Sequence, residues 1–307
     1  MERLLRVTFL GTAGSSPTVD RSLSAVAIRR KGELILLDCG EGTQQRMTQA
    51  KIGFRPNMKI LISHLHGDHV LGIPGILQTM SLFNRKTPLK IVGPKGIFAF
   101  IECVKETVKF GLTFPLVVRE IDEGTVCRGE EYTLYAVWVE HSVPCLAYAL
   151  VEKNRPGRFY PNKASKLGIP KGPLWSKLQQ GFEVKLTDGR IIEAKEVLGS
   201  SRRGRKVVYA VDTRPCDAVE QFAEGADLLI YEATFEDKLV EKANENYHST
   251  PSQGAEIAKR AKVSRLMLTH IGGRCNRVDD FLGKARNIFG RVQVAEDLMV
   301  VQVPYPD

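Results

Sequence analysis

No stretch of this 307-residue chain approaches 18 uninterrupted apolar residues, so no membrane-spanning helix is expected. The opening Met1 to Leu10 is too short and too interrupted for a signal-peptide core and reads as a first strand, which points to the cytoplasm. Cysteine is scarce and scattered: six residues with no CxxC pair indicate neither a zinc ribbon nor a disulfide framework, and most are expected to be reduced and partly buried. No repeat, low-complexity tract or obvious linker appears, so a single domain over 1–307 is expected. Acidic residues are in deficit, with 44 Lys plus Arg against 35 Asp plus Glu, a formal charge of 44 − 35 = +9. That excess favours a polyanionic partner without proving one. Histidine is rare too, at positions 64, 66, 69, 141, 248 and 270 only.

What is present is concentrated. Half of those histidines fall in Ile62-Ser63-His64-Leu65-His66-Gly67-Asp68-His69, where an apolar run opens directly onto four metal-ligand side chains in the pattern HxHxDH. Residues two apart in extended chain project to the same side, so His64 and His66 can grip one ion while the following turn swings Asp68 and His69 toward another.

Four strand-like segments end in the same way. Residues 59–63 run into His64, 135–140 into His141, 206–211 into Asp212 and 266–269 into His270. Strand interiors are committed to the core and polar groups collect where strands end, so these ligands are expected to converge at one sheet edge. Helix-like stretches at 96–110 and 252–261 lie between strands, and hairpin-like pairs appear at 25–30 with 33–38 and at 182–194. The class is α/β, with mixed sheets and helices outside. One segment departs in composition: 152–181 is rich in Gly and Pro and carries Lys163, Lys166, Lys171 and Lys177. On spacing alone it reads as a solvated surface loop.

A minimal assignment puts His64, His66 and His141 on one zinc ion, Asp68, His69 and His270 on a second, and Asp212 between them. Imidazole and carboxylate donors suit zinc, and the lack of a thiolate at these strand ends argues against a closed structural site. Two divalent ions roughly 3.5 to 4 Å apart lower the pKa of a water and polarise a phosphoryl oxygen, so phosphoester hydrolysis fits. Asp38, ending the apolar 34–37, reads as a carboxylate that holds a ligating imidazole from behind. His248 is the one histidine not spent on metal. It is either a surface residue starting a helix or a group that protonates a departing ribose oxygen, with Glu232 as its orienting partner. The run Gly11 to Pro17 lacks the GK[ST] ending of a phosphate loop and is expected to form a turn near the site mouth.

The HLHGDH run with His141, Asp212 and His270 at these intervals resembles the metallo-β-lactamase superfamily. The segments LDCGEGTQQR at 37–46, GIPKGPLWSKLQQG at 168–181, YEATF at 231–235, HST at 248–250 and LTHI at 268–271 look like those of the ribonuclease Z family in its short form, in the same order and nearly end to end. The resemblance implies a four-layer αββα sandwich, two Zn2+ per subunit, and a homodimer whose protruding arm, here 152–181, holds precursor tRNA cut by the partner subunit. It also implies removal of the 3′ trailer to leave a 3′-hydroxyl, with Asp68 as proton acceptor and His248 acting at the scissile phosphate. The four lysines of the arm and Arg274 are the candidate RNA contacts. Two departures stand out: Tyr231 replaces a frequent His, and Gly272-Gly273-Arg274-Cys275 replaces the usual Ser-x-Arg-Tyr. The rival readings are a phosphodiesterase for a small substrate on the same scaffold, and a non-catalytic tRNA-binding metalloprotein.

Overall fold

In the computed structural model, which describes residues 4–273 and 278–306 with the side chains of 278–280 left aside, Lys31 and Gly32 both take positive φ, 44° and 82°. Such a two-residue turn matches the twist of a hairpin. The strands it joins, Ala25–Arg30 and Glu33–Leu37, pair antiparallel as the sequence suggested. Every residue from Leu34 to Leu37 is buried, and the side chains alternate between two cores. Ile35 and Leu37 point into one cluster and Leu34 and Leu36 into another, so both faces of this strand are covered.

That alternation builds the layers. One sheet has the strand order Val300–Val303, Leu5–Gly11, Ala25–Arg30, Glu33–Leu37, Met58–Leu61, Leu89–Gly93, Leu116–Glu120. The other runs Val292–Val294, Leu266–Gly272, Leu228–Ala233, Lys206–Ala210, Cys145–Glu152, Tyr132–Val139, Gly124–Arg128. Facing side chains of the two sheets form one cluster, with Val7, Phe9, Ile28 and Ile35 from the first and Leu146, Tyr148, Tyr209 and Ile230 from the second. The outer face of the first sheet packs on helices Thr43–Gln49, Ile73–Leu82 and Ile97–Val108 through Met47, Ile76 and Ile101. The outer face of the second packs on Asp217–Ala223, Pro251–Arg260 and Val278–Ile288 through Val219, Ile257 and Leu282. The result is the expected αββα sandwich. Each fully buried aliphatic side chain contributes about 1.5–3 kcal/mol of transfer free energy, which makes the doubly covered strands the rigid part of the scaffold.

The described residues divide into two compact units, one of 4–151, 206–273 and 278–304, the other of Glu152–Arg205 with Tyr305 and Pro306. The second unit is longer than the 152–181 segment singled out by composition, and it is not a bare loop. Helices Pro161–Lys166 and Pro173–Gln179 and a short hairpin, Val184–Lys185 with Ile191–Ile192, enclose a core of Ala164, Ile169, Leu178 and Val197. The indole N–H of Trp175 donates to the Ile169 carbonyl at 3.0 Å. At the root of this unit the buried Arg205 donates from Nε and Nη2 to the two Glu152 carboxylate oxygens, each at 2.8 Å. A buried guanidinium needs that bidentate partner to offset its desolvation. Among the described residues no helix is long and apolar enough to cross a membrane.

Candidate metal centre

Ligand side chains arrive from the strand ends of both sheets, rather than from one sheet edge as the sequence suggested. From the first sheet, His64 follows Met58–Leu61, with His66 at the N-cap of the short helix Gly67–Val70 and Asp68 and His69 within it, while Asp38, which follows Glu33–Leu37, supports them from behind. From the second come His141 after Tyr132–Val139 and Asp212 after Lys206–Ala210. His270 differs from expectation: it lies within the strand Leu266–Gly272, opposite a register irregularity between Glu232 and Ala233. Asp38, Asp212 and His270 all have left-handed backbones, with φ of 57°, 55° and 54°. Each such residue costs about 1–3 kcal/mol unless its surroundings over-determine it.

The donor atoms converge. Nε2 of His64 is 3.0 Å from Nδ1 of His66, which is 3.2 Å from Nε2 of His141. These three and Asp212 form one group of ligand atoms within 4.8 Å of one another, and Asp68, His69 and His270 form a second. Nε2 of His69 and Nε2 of His270 stand 3.3 Å apart, each 3.4 Å from Asp68 Oδ2. Asp212 Oδ2 is 3.5 Å from both His64 Nε2 and His69 Nε2, and its Oδ1 is 3.0 Å from His270 Nε2. The carboxylate therefore touches both groups.

These atoms suit a cation better than one another. Asp212 Oδ1 is buried and makes no well-aligned hydrogen bond among the described residues, although His270 Nε2 faces it at 3.0 Å. A buried carboxylate oxygen without a hydrogen bond costs several kcal/mol unless positive charge reaches it. Imidazole nitrogens facing each other near 3 Å likewise repel unless a proton or metal lies between them. The electrostatics agree: burial, reinforced by His69, holds His64 well below the ordinary histidine range. Burial also opposes charge on His69, but Asp212 and Asp38 outweigh it and raise that imidazole well above the range. Asp68 and Asp212 are held far below ordinary carboxylates because His270 and His69 overcome the desolvation of both. The cluster is thus a pocket of nitrogen and oxygen donors with two ionised carboxylates among them. No thiolate is among them, and imidazole with carboxylate is a donor set suited to a divalent metal ion.

Asp38 sits behind the ligands. Its Oδ2 accepts from Nδ1 of His69 at 2.7 Å, from Ser63 Oγ at 2.8 Å and from Tyr209 O–H at 2.7 Å, while Oδ1 accepts Ser63 N–H at 2.7 Å. That bond fixes the His69 proton on Nδ1 and leaves Nε2 for a metal. Glu232 plays the same part for His248. It is fully buried, takes His248 Nδ1 at 2.9 Å and Thr213 N–H at 2.7 Å on Oε1, and accepts Ser249 N–H at 3.0 Å and Thr234 Oγ–H at 2.6 Å on Oε2. The His248 ring stacks on that of His270 with centroids 5.8 Å apart, so it belongs to the centre and is not a surface helix-start residue. Burial would lower its pKa, but Glu232, Asp212 and Asp68 raise it to about 9.

Sequence reasoning passed over Thr234, whose Oγ1 joins Glu232 to Nδ1 of His270 at 2.8 Å, and over Ser63 and Tyr209 around Asp38. Position 231 carries no site role: Tyr231 points into the helix-side core and its O–H pairs with Ser249 Oγ at 2.9 Å. The run Gly11 to Pro17 is not all turn: Gly11 ends the first strand and Ala13–Gly14 pair with Ile271 and Gly272, and the residues that follow meet the site, where Ser15 N–H donates to Asp68 Oδ2 at 2.9 Å. In the second unit Lys163, Lys166, Lys171 and Lys177 are all exposed, with Lys163 and Lys171 over the rings of Tyr160 and Trp175. Arg274 lies outside the described residues.

Comparison with known proteins gives two family profiles: that described as anti-Pycsar protein Apyc1 matches residues 5–102, and the beta-lactamase superfamily domain matches 180–271. Ribonuclease Z of Methanosarcina acetivorans is 49% identical over 98% of this chain and 99% of its own length. Ribonuclease Z of Methanothermobacter thermautotrophicus is 46% identical over 98% of this chain and 97% of its own length. The crystal structure of human tRNase Z, short form, superposes with a TM-score of 0.70 at 29% identity, covering 97% of this chain and 99% of that one.

Proposed function

The chain belongs to the ribonuclease Z family, and on that premise we propose that it removes the 3′ trailer from tRNA precursors by phosphodiester hydrolysis, leaving a 3′-hydroxyl. The full-length relationship to ribonuclease Z carries this reading. The centre depends on metal, and two zinc ions per subunit are the occupants its donors suit: His64, His66 and His141 for one, Asp68, His69 and His270 for the other, with Asp212 shared. Bound there, the ions supply a hydrolytic water of lowered pKa and polarise a phosphoryl oxygen.

The chain's own groups do the rest. Asp68, kept ionised by His270 and His69 despite its burial, is the proton acceptor. Across the centre, His248 carries a proton at Nε2 while Glu232 holds Nδ1, so the imidazolium can neutralise charge developing on the phosphate and protonate the departing ribose oxygen. Glu232 touches no reacting atom in this scheme and acts by positioning His248.

For substrate binding, the exposed lysines at 163, 166, 171 and 177 support a tRNA-holding role for the second unit, in which phosphate contacts and duplex shape outweigh base identity. A homodimer in which each arm serves the partner's centre, and a cytoplasmic setting, complete the reading. The test is to incubate one tRNA precursor with the protein, with and without chelator, and map the product ends. A chelator-sensitive cut just beyond the acceptor stem is expected; a cut that survives chelation, or none at all, defeats the reading.

A further inference from the structure

Residues 15–20 are exposed, yet the segment that carries them is fastened at both ends. At the near end Ser15 N–H meets Asp68, and Gly14 packs so close to His270 that an added Cβ would stand 2.7 Å from its Nδ1. At the far end the fastening comes from the other end of the sequence. The Asp297 side chain, 6% exposed, accepts Thr12 Oγ–H on Oδ1 at 2.7 Å and Ser22 N–H on Oδ2 at 2.7 Å, with Arg46 Nη2 at 3.1 Å from the same oxygen. Arg46 also donates from Nε to Ser22 Oγ at 2.5 Å. Arg21, the most conspicuous cation of the segment, is turned inward: its Nη1 donates to Thr12 Oγ at 2.6 Å and to the Ala295 carbonyl at 2.7 Å. A backbone bond from Ala13 N–H to the Ser22 carbonyl at 2.8 Å closes the base.

Apart from Ser15 N–H, which meets Asp68, these bonds touch no ligand of the centre, and Arg46 is the one partner supplied by a helix. A buried carboxylate that takes two neutral donors and a guanidinium is stable only while all are in place, and together they offset the entropy of ordering an exposed segment. What the arrangement fixes is the path of the backbone from Thr12 to Ser22, and with it the 14–16 turn against Asp68 and His270. We propose that Asp297 is a positioning residue for RNA cleavage, locking this segment beside the centre so that it selects which phosphodiester enters. The selection role rests on the ribonuclease reading above, whereas the lock itself does not.

The test uses wild type, Asp297→Ala and the near-isosteric Thr12→Val, which removes one donor and one acceptor of the lock should Asp297→Ala fail to fold. Each is checked for metal content and for the rate of tryptic cleavage after Arg21, then assayed on one tRNA precursor with end mapping and on a small aryl phosphodiester. Both variants are expected to be cut after Arg21 about tenfold faster, because the opened segment exposes that bond. They are also expected to spread the product ends over neighbouring phosphodiesters and to lower kcat/KM for precursor about tenfold, with the small substrate changed less than about threefold. Folded, metal-loaded variants that retain the single wild-type end and the wild-type tryptic rate would overturn the proposal. A wild-type protein that cuts no precursor would instead overturn the ribonuclease reading and the selection role with it, and the tryptic rates would still decide whether Asp297 is the lock.

Discussion

Asp38→Asn changes one atom type and tests how the centre is held. The carboxylate now serves four donors: Ser63 N–H and, on a single oxygen, Ser63 Oγ, His69 Nδ1 and Tyr209 O–H. An asparagine oxygen can keep Ser63 N–H, which leaves its NH2 facing the other three. The two hydroxyls can rotate to accept, but then His69 has no partner; if His69 accepts instead, its proton must move to Nε2, the atom facing His270 at 3.3 Å. One of three partners is left unpaired in either case, at a cost of about 1–3 kcal/mol for a buried polar group. The tautomer change also blocks a metal-ligand nitrogen, so affinity for the ion held by Asp68, His69 and His270 should fall about 10–100-fold, the usual cost of losing a carboxylate behind a ligating histidine. Denaturant unfolding measures the first effect and competition with a chelator of known affinity the second. If Asp38→Asn matches wild type in metal affinity and its stability differs by less than about 0.5 kcal/mol, the assigned role of Asp38 is wrong.

Asp68→Ala should fold and bind precursor tRNA with near-normal affinity while kcat falls about 100-fold or more, as befits loss of a proton acceptor that is also a ligand; cleavage at the wild-type rate in single-turnover assays would remove it from the mechanism. His248→Ala should lower kcat about 100- to 10,000-fold with little change in KM, whereas Glu232→Gln should lower both kcat and unfolding stability, because Glu232 also holds Thr213, Ser249 and Thr234. Equal stability losses in the two variants would contradict that division of roles. Replacing Lys163, Lys166, Lys171 and Lys177 together by Ala should weaken precursor binding and flatten its salt dependence by about one in the log-log slope for each phosphate no longer neutralised, with small-substrate hydrolysis unchanged; an unaltered slope would release the second unit from RNA binding.

The clustered histidines and aspartates were legible because their information is local. HxHxDH fixes four donors by spacing, and three further donors each follow an apolar run, so the chain advertises them before it folds. Asp38 and Glu232 were legible for the same reason. Thr234, Ser63 and Tyr209 were not, since a hydroxyl among buried residues carries no sign of its partner until strands are in register. The left-handed turns at Asp38, Asp212 and His270, and the irregularity that places His270 inside a strand, leave no periodic trace. Asp297 is further still from view, being 285 residues from Thr12 in sequence and brought to it only by the folded arrangement of strands. The segment after Glu152 misled in the opposite direction. Its Gly, Pro and Lys content reads as loop, yet the apolar Ala164, Ile169, Leu178 and Val197 are spaced too irregularly for one helix or strand and close a small core only across several elements.

The central claim is that strand ends of two sheets bring seven side chains together around two ions that share Asp212. Crystals of the protein loaded with zinc, measured with anomalous scattering at the zinc edge, test it directly. The account predicts two anomalous peaks about 3.5–4 Å apart, one among His64, His66 and His141, the other among Asp68, His69 and His270, with the Asp212 carboxylate bound to both. A single peak, or zinc bound anywhere that leaves Asp212 Oδ1 without a cation, would contradict it.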